Sequence, residues 1–103
     1  MDKNLNFISL AQKAGKVQAG EYLTMKALKE GYAWLVIIAE DTSEKSRMRI
    51  LRSCEFFECD AVVYGTKDDL GHFTGNRDKS VICITDEGFA SALFKRLKSE
   101  NNQ

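Results

Sequence analysis

Residues 19–41, AGEYLTMKALKEGYAWLVIIAED, hold a complete helix–strand unit, and the architecture reads outward from it. Gly20 opens a helix with Leu23, Ala27 and Leu28 predicted inward. Gly31 ends it, as a residue free to turn left-handed does. Leu35–Ala39 follows as an unbroken apolar run, the pattern of a strand covered on both faces. A glycine ahead of a helix brings no side-chain acceptor to the first amides, and free amides at a helix N-terminus attract anions. Lys26 and Lys29 follow within the helix. The unit predicts a binding surface on a rigid scaffold rather than a catalytic centre.

Upstream, Leu5, Ile8, Leu10, Ala11 and Ala14 fit one helical stripe, with Gly15 just past its end and Val17–Ala19 a very short strand. Downstream, Asp41-x-x-Glu44 resembles a capping box before a helix over about 43–57, with Met48, Leu51 and Cys54 on one face. Ala61–Tyr64 reads as a strand, and Thr66 caps a short helix reaching Phe73. Ser80–Ile84 is another apolar strand. Thr85 and Asp86 offer caps to a last helix that turns Phe89, Leu93, Phe94 and Leu97 inward. Strands alternate with helices throughout, which implies the α/β class: a three-layer α/β/α sandwich with a small mixed central sheet. With no proline, repeat or linker, residues 1–103 are expected to form a single domain, with 99–103 a disordered tail.

Bulk charge argues for no partner, because 15 basic residues balance 15 acidic ones. A nucleic-acid role must come from local patches. Residues 45–54 supply one, with Lys45, Arg47, Arg49 and Arg52 and no acid, although a solvated helix face has the same composition. The 44% hydrophobic share is that of a globular domain. Cys54, Cys59 and Cys83 are odd in number and lack C-x-x-C spacing. No apolar run is long enough to span a bilayer, and MDKNLNF lacks the basic and apolar regions of a signal peptide. A reduced, cytoplasmic protein with no membrane partner is expected.

No residue set predicts catalysis. His72, the sole histidine, sits between Gly71 and Phe73 near a helix end, where a cation or surface residue suffices. A Cys59–His72 pair lacks an orienting third group. Cys54, Cys59, Cys83 and His72 match no zinc-ligand spacing, and the cysteines read as small buried hydrophobes. Neither a P-loop nor G-x-G-x-x-G is present, and Gly71 and Gly75 are read as shaping a turn. No catalytic residue, metal site or cofactor is expected.

Three motifs in order resemble a known family: G-E-x-L-x-x-K-A-L-K-x-G over 20–31, L-V-I-I-A-E-D over 35–41, and V-x-G-T-K-x-x-L-G-x-x-x-G over 63–75. Together they look like the superfamily of kink-turn-binding ribosomal proteins of the archaeal and eukaryotic large subunit. L-A-Q-K-A-G-K-V over 10–17 and I-T-D-E-G-F-A over 84–90 resemble its small bacterial branch, the YlxQ-type proteins. The resemblance covers about residues 5–97. It implies the three-layer fold and RNA binding through the second helix's N-terminus and nearby loops. It also implies recognition by shape and backbone with few base-edge contacts. The amides around Gly20 and Glu21, Lys26 and the loop after Leu70–Gly71 match the family's contacts, and the expected contact set is Lys16, Gly20, Glu21, Tyr22, Lys26, Leu70, Gly71 and Arg77. Lys16, Lys26 and Arg77 would meet phosphate, Gly20 would admit a close backbone, and Glu21 would accept from guanine or serve as a first-turn acid.

Two departures stand out. Where kink-turn proteins carry Thr-Asn-Glu after the glycine, this chain has Glu21, Tyr22 and Leu23. Where they carry an apolar-acidic-apolar triplet after the second loop glycine, it has Asn76, Arg77 and Asp78. Losing two base-reading pairs costs roughly 2–6 kcal/mol on the scale of DNA readout, and Tyr22 stacking on a base would restore about 1–3 kcal/mol. The expected function is a non-enzymatic RNA-binding protein, ribosome-associated or recognising structured, kink-turn-like RNA. Its partners would be that RNA or rRNA, with ribosomal or translation-related proteins. The alternative is a protein–protein interaction module on the same scaffold, with Tyr22 and Trp34 as anchors.

Overall fold

The computed structural model describes residues 2–101. Five helices and four strands alternate as α1 (Lys3–Lys13), β1 (Val17–Ala19), α2 (Glu21–Glu30), β2 (Leu35–Ile38), α3 (Glu44–Phe56), β3 (Asp60–Val63), α4 (Lys67–Phe73), β4 (Val81–Ile84) and α5 (Glu87–Asn101). The strands form one mixed sheet in the order β1-β4-β2-β3. β4 runs antiparallel to both β1 and β2, while β2 and β3 are parallel, joined through α3. The expected three-layer sandwich is therefore present.

Alternation along the two central strands builds the layers. Leu35, Ile37, Ile82 and Ile84 point into a core shared with Leu5, Ile8 and Ala11 of α1, Leu70 of α4 and Leu93 and Leu97 of α5. Val36, Ile38, Val81 and Cys83 point the other way, against Ala27 and Leu28 of α2 and Ile50 and Cys54 of α3. Every residue of β2 and β4 is buried, because both faces of these strands are covered. β3 departs from that pattern. As the sheet's edge it exposes Asp60 and Val63, so its run of valines does not mark a doubly covered strand.

Local differences from expectation follow from helical geometry. Leu10 is 54% exposed and Ala14 is exposed, because a 100° step per residue carries them off the Leu5–Ile8–Ala11 stripe; Asn4 is buried there instead. Thr24 rather than Leu23 faces inward from α2, and Ile50 rather than Met48 from α3. The first turn of α3 is capped by Ser43, whose hydroxyl accepts from Ser46 N, not by Asp41. Asp41 instead accepts from Lys67 N at 2.8 Å, tying the β2–α3 loop to the start of α4. Ser99–Asn101 belong to α5, where a tail was expected, and residues 102–103 lie outside the described residues.

The sheet has two distinct ends. Gly20 N donates to Val81 O, Ala39 N to Ser80 O and Glu40 N to Gly65 O, so these turns are level at one end. Thr85 N donates to Lys16 O and Trp34 N to Ile84 O at the other.

Candidate nucleic-acid interface

Gly20 closes β1 and opens α2 in one residue. Its N–H reaches Val81 O at 2.8 Å and its carbonyl accepts from Thr24 N at 3.0 Å. Its φ of 100° and ψ of 160° belong to glycine. No side chain caps α2. The other helices are each capped: Asp2, Ser43, Thr66 and Asp86 accept first-turn amides of α1, α3, α4 and α5. The opening amides of α2 are thus left for an external acceptor.

Lys79 lies against this turn. A Cβ built on Gly20 would stand 3.9 Å from both Cδ and Nζ of Lys79. Lys79 N donates to Lys67 O at 3.0 Å, which fixes the backbone that carries the side chain. An ammonium beside the positive end of a helix dipole is unfavourable alone and favourable with an anion between them. The pair suits a phosphate.

Glu21 is committed elsewhere. Its carboxylate accepts from Nε and Nη2 of Arg49 at 2.8 and 2.9 Å, a bidentate pair bridging α2 and α3. That hydrogen bond holds the Glu21 carboxyl below its ordinary range, outweighing partial burial. The acid nearest the α2 N-terminus is thereby neutralised, and both its oxygens are already engaged. Tyr22, 79% exposed, and Lys26 stand on the outer face of α2 and share a shallow groove with Met25 and Lys29.

The α4–β4 loop is braced against the end of α4. Thr74 Oγ1 donates to Leu70 O at 2.6 Å, Asn76 N to Gly71 O at 2.8 Å, and Asn76 Nδ2 to Thr74 O at 3.0 Å. Arg77 O passes so close that a Cβ on Gly71 would lie 2.1 Å from it. Only glycine admits this approach, and it leaves the Arg77 side chain exposed.

The structure brings Gly20, Glu21 and Tyr22 to the α2 N-terminus, with Lys26 on the following turn. It sets Arg77 in the loop leading into that same end of the sheet, over Gly71 in the last turn of α4. Three expected contacts stand differently. Leu70 is fully buried in the core, so its side chain packs beneath the loop rather than on the surface. Gly71 is also buried and acts by admitting the loop. Lys16 lies at the opposite end of β1, level with Thr85, and does not join the cluster. Sequence reasoning missed Lys79 and the pairing of Arg49 with Glu21. Lys79 reaches Gly20 only through the antiparallel β1–β4 register, and Arg49 reaches Glu21 only through helix packing; neither leaves a local motif.

The thiols are poor nucleophiles. Burial pushes Cys54 up to about 12, and Cys59 and Cys83 up to about 11. Cys59 Sγ is directed at the carbonyl oxygens of Ala33 and Asp60. Among the described residues, no group of three or more His, Cys, Asp and Glu is placed to hold a metal ion, and no helix is long and apolar enough to cross a membrane.

Five helices on a mixed sheet of this strand order make a three-layer α/β/α fold. The chain belongs to the Ribosomal protein L7Ae/L30e/S12e/Gadd45 family, which it matches over residues 2–94. It is 30% identical over 90 residues to the RNA-binding protein YlxQ of Bacillus subtilis, covering 87% of this chain and 90% of that one. It is 30% identical over 102 residues to the large ribosomal subunit protein eL8 of Thermoplasma volcanium, covering 98% of this chain and 84% of that one. A Bacillus halodurans protein of unknown function superposes with a TM-score of 0.87 at 28% identity, covering 92% of this chain and 96% of that one. The 15.5kD RNA binding protein of Giardia lamblia superposes at 0.79 with 22% identity, covering 92% and 84%, a likeness of fold alone.

Proposed function

We propose that this chain binds structured RNA, kink-turn-like or ribosomal, without catalysing a reaction and in association with the translation apparatus of the cytoplasm. The observation that carries the reading is the α2 N-terminus. Its amides lack a side-chain cap, Lys79 stands over Gly20, and the neighbouring acid is neutralised by Arg49. The names of relatives support the ligand: an RNA-binding protein in Bacillus subtilis and a large-subunit ribosomal protein in Thermoplasma volcanium.

In this reading the α2 amides and Lys79 hold one phosphate, and Lys26 and Arg77 hold others. Gly20 lets the backbone close in, and Tyr22 stacks on an unpaired base. Lys26→Ala and Lys79→Ala, measured by anisotropy on a kink-turn stem-loop, are expected to weaken binding. Each is expected to flatten the dependence on log salt by roughly 0.7–0.9 per lost contact. Wild-type behaviour in both variants would overturn the assigned face.

The protein-interaction reading has its own observation. Trp34 is 47% exposed at the opposite end of the sheet, in a groove with Ala90 and Phe94 edged by Asp60 and Glu87. Association with a protein that survives nuclease treatment, with no RNA affinity at low salt, would favour it.

A further inference from the structure

We infer that the outer face of α3 is a second RNA contact, a track for unpaired nucleotides flanking the structured element at α2; it rests on the RNA-binding reading above. Lys45, Arg49, Arg52 and Phe56 are spaced four, three and four residues apart, so they form one stripe along the helix. Met48 lies beside it, and Lys45, Met48, Arg49, Arg52 and Ser53 line one groove. Within α3 the stripe contains no acid, Glu44 and Glu55 standing to its side; Arg49 is engaged by the Glu21 carboxylate of α2, so Lys45 and Arg52 supply the stripe's charge for a backbone.

A solvated helix face accounts for the charges but not for the apolar groups among them. Phe56 is 78% exposed and Met48 43%, so the side chain of Phe56 adds little to the core. Cations interleaved with an exposed aromatic are what a single strand needs: charge for the backbone and a flat face for a base. A duplex keeps its base faces stacked inside, so Phe56 selects unpaired nucleotides. The stripe runs from Lys45 to Phe56, twelve residues and about 17 Å of helix, or room for roughly five nucleotides stacked at about 3.4 Å. It is continuous with the first site. α2 and α3 cover the same face of the sheet, and the Arg49–Glu21 pair joins the stripe to the α2 N-terminus.

The test uses a kink-turn stem-loop trimmed to its paired ends and the same RNA carrying a single-stranded uridine tail, placed at each end in turn. Wild type is expected to bind one tailed RNA on the order of tenfold more tightly than the trimmed one. The Lys45→Ala/Arg52→Ala double variant loses that gain and about 1.4 from the salt slope. Phe56→Ala loses the gain with the slope unchanged. Both variants bind trimmed RNA as wild type does, and Lys26→Ala does the reverse; circular dichroism confirms folding of each. Equal binding of trimmed and tailed RNA by wild type, or equal weakening on both RNAs by the α3 variants, would overturn the track while leaving the α2 site in place. If trimmed RNA is not bound, the α2 reading fails, and oligouridine alone then decides the track: binding lost in the double variant upholds it, and no binding overturns it.

Discussion

At the scale of residues, two glycines carry the site, and each has a distinct physical requirement. Gly71 has no room for a side chain, because Arg77 O already occupies the place of a Cβ. Gly71→Ala must push the loop away or strain it, and a loss of about 1–3 kcal/mol is expected in chemical denaturation. Gly20 has room, but its φ of 100° does not suit an L residue, so Gly20→Ala is expected to cost a similar 1–3 kcal/mol through strain. Leu70 is the contrasting case. Its burial predicts that Leu70→Met leaves RNA affinity unchanged and costs under about 1.5 kcal/mol. A large loss of affinity in a folded Leu70→Met variant would show that the loop is not merely propped from below. The resemblance pointed to a segment, but which of its residues face solvent depends on packing that no spacing reveals.

At the scale of elements, the helix ends set both stability and reactivity. Asp2 caps α1 by accepting from Asn4 N at 2.9 Å and Leu5 N at 3.0 Å, and it also accepts from the Tyr64 hydroxyl. Partial burial pushes its carboxyl up, but the Tyr64 hydroxyl and the two amides outweigh that and hold it below 3.8. A depressed carboxylate stabilises the fold above its unfolded value, and the contribution is lost as pH falls through the folded one. Asp2→Ala is therefore expected to cost about 0.5–2 kcal/mol at neutral pH, with the gap from wild type closing below about pH 4. A gap that stays constant into acid would mean the carboxylate's charge is irrelevant. Between α2 and α3, the exposed Arg49–Glu21 pair contributes little to stability and matters through charge. Arg49→Ala removes a cation and frees an acid beside the proposed phosphate site, so RNA binding is expected to fall further than in a Glu21→Gln/Arg49→Ala double variant. Equal losses would separate Glu21 from the site. The sequence showed the cation run on α3 plainly; its link to Glu21 was invisible because 28 residues of chain separate the two.

At the scale of the whole molecule, the layers were legible from two patterns. The unbroken apolar runs in Leu35–Ala39 and Ser80–Ile84 read as doubly covered strands, as β2 and β4 are, and α5 placed Leu93 and Leu97 inward as its helical spacing implied. The edge character of β3 was not legible, since Ala61–Val63 has the composition of a core strand and only the strand order exposes it. The same order separates Lys16 from Gly20 and brings Lys79 beside it. Charge is distributed accordingly, with cations on α2, α3 and the α4–β4 loop in a molecule that carries none in net. Interior thiols should be inert: native protein at pH 8 is expected to resist alkylation at Cys54 and Cys83, with all three cysteines labelling after unfolding. Fast native labelling of either would contradict the packing of the α2–α3 layer.

Titration into a kink-turn RNA and into a control lacking the sheared G·A pairs, each at two salt concentrations, tests the central claim most directly. The α2 N-terminus with Lys79 and Lys26 predicts tighter binding to the kink-turn at both salts, with affinity falling as salt rises. Absence of binding to either RNA at the lower salt would contradict the claim that this face binds RNA, and equal, salt-steep binding to both would contradict recognition of the kinked shape.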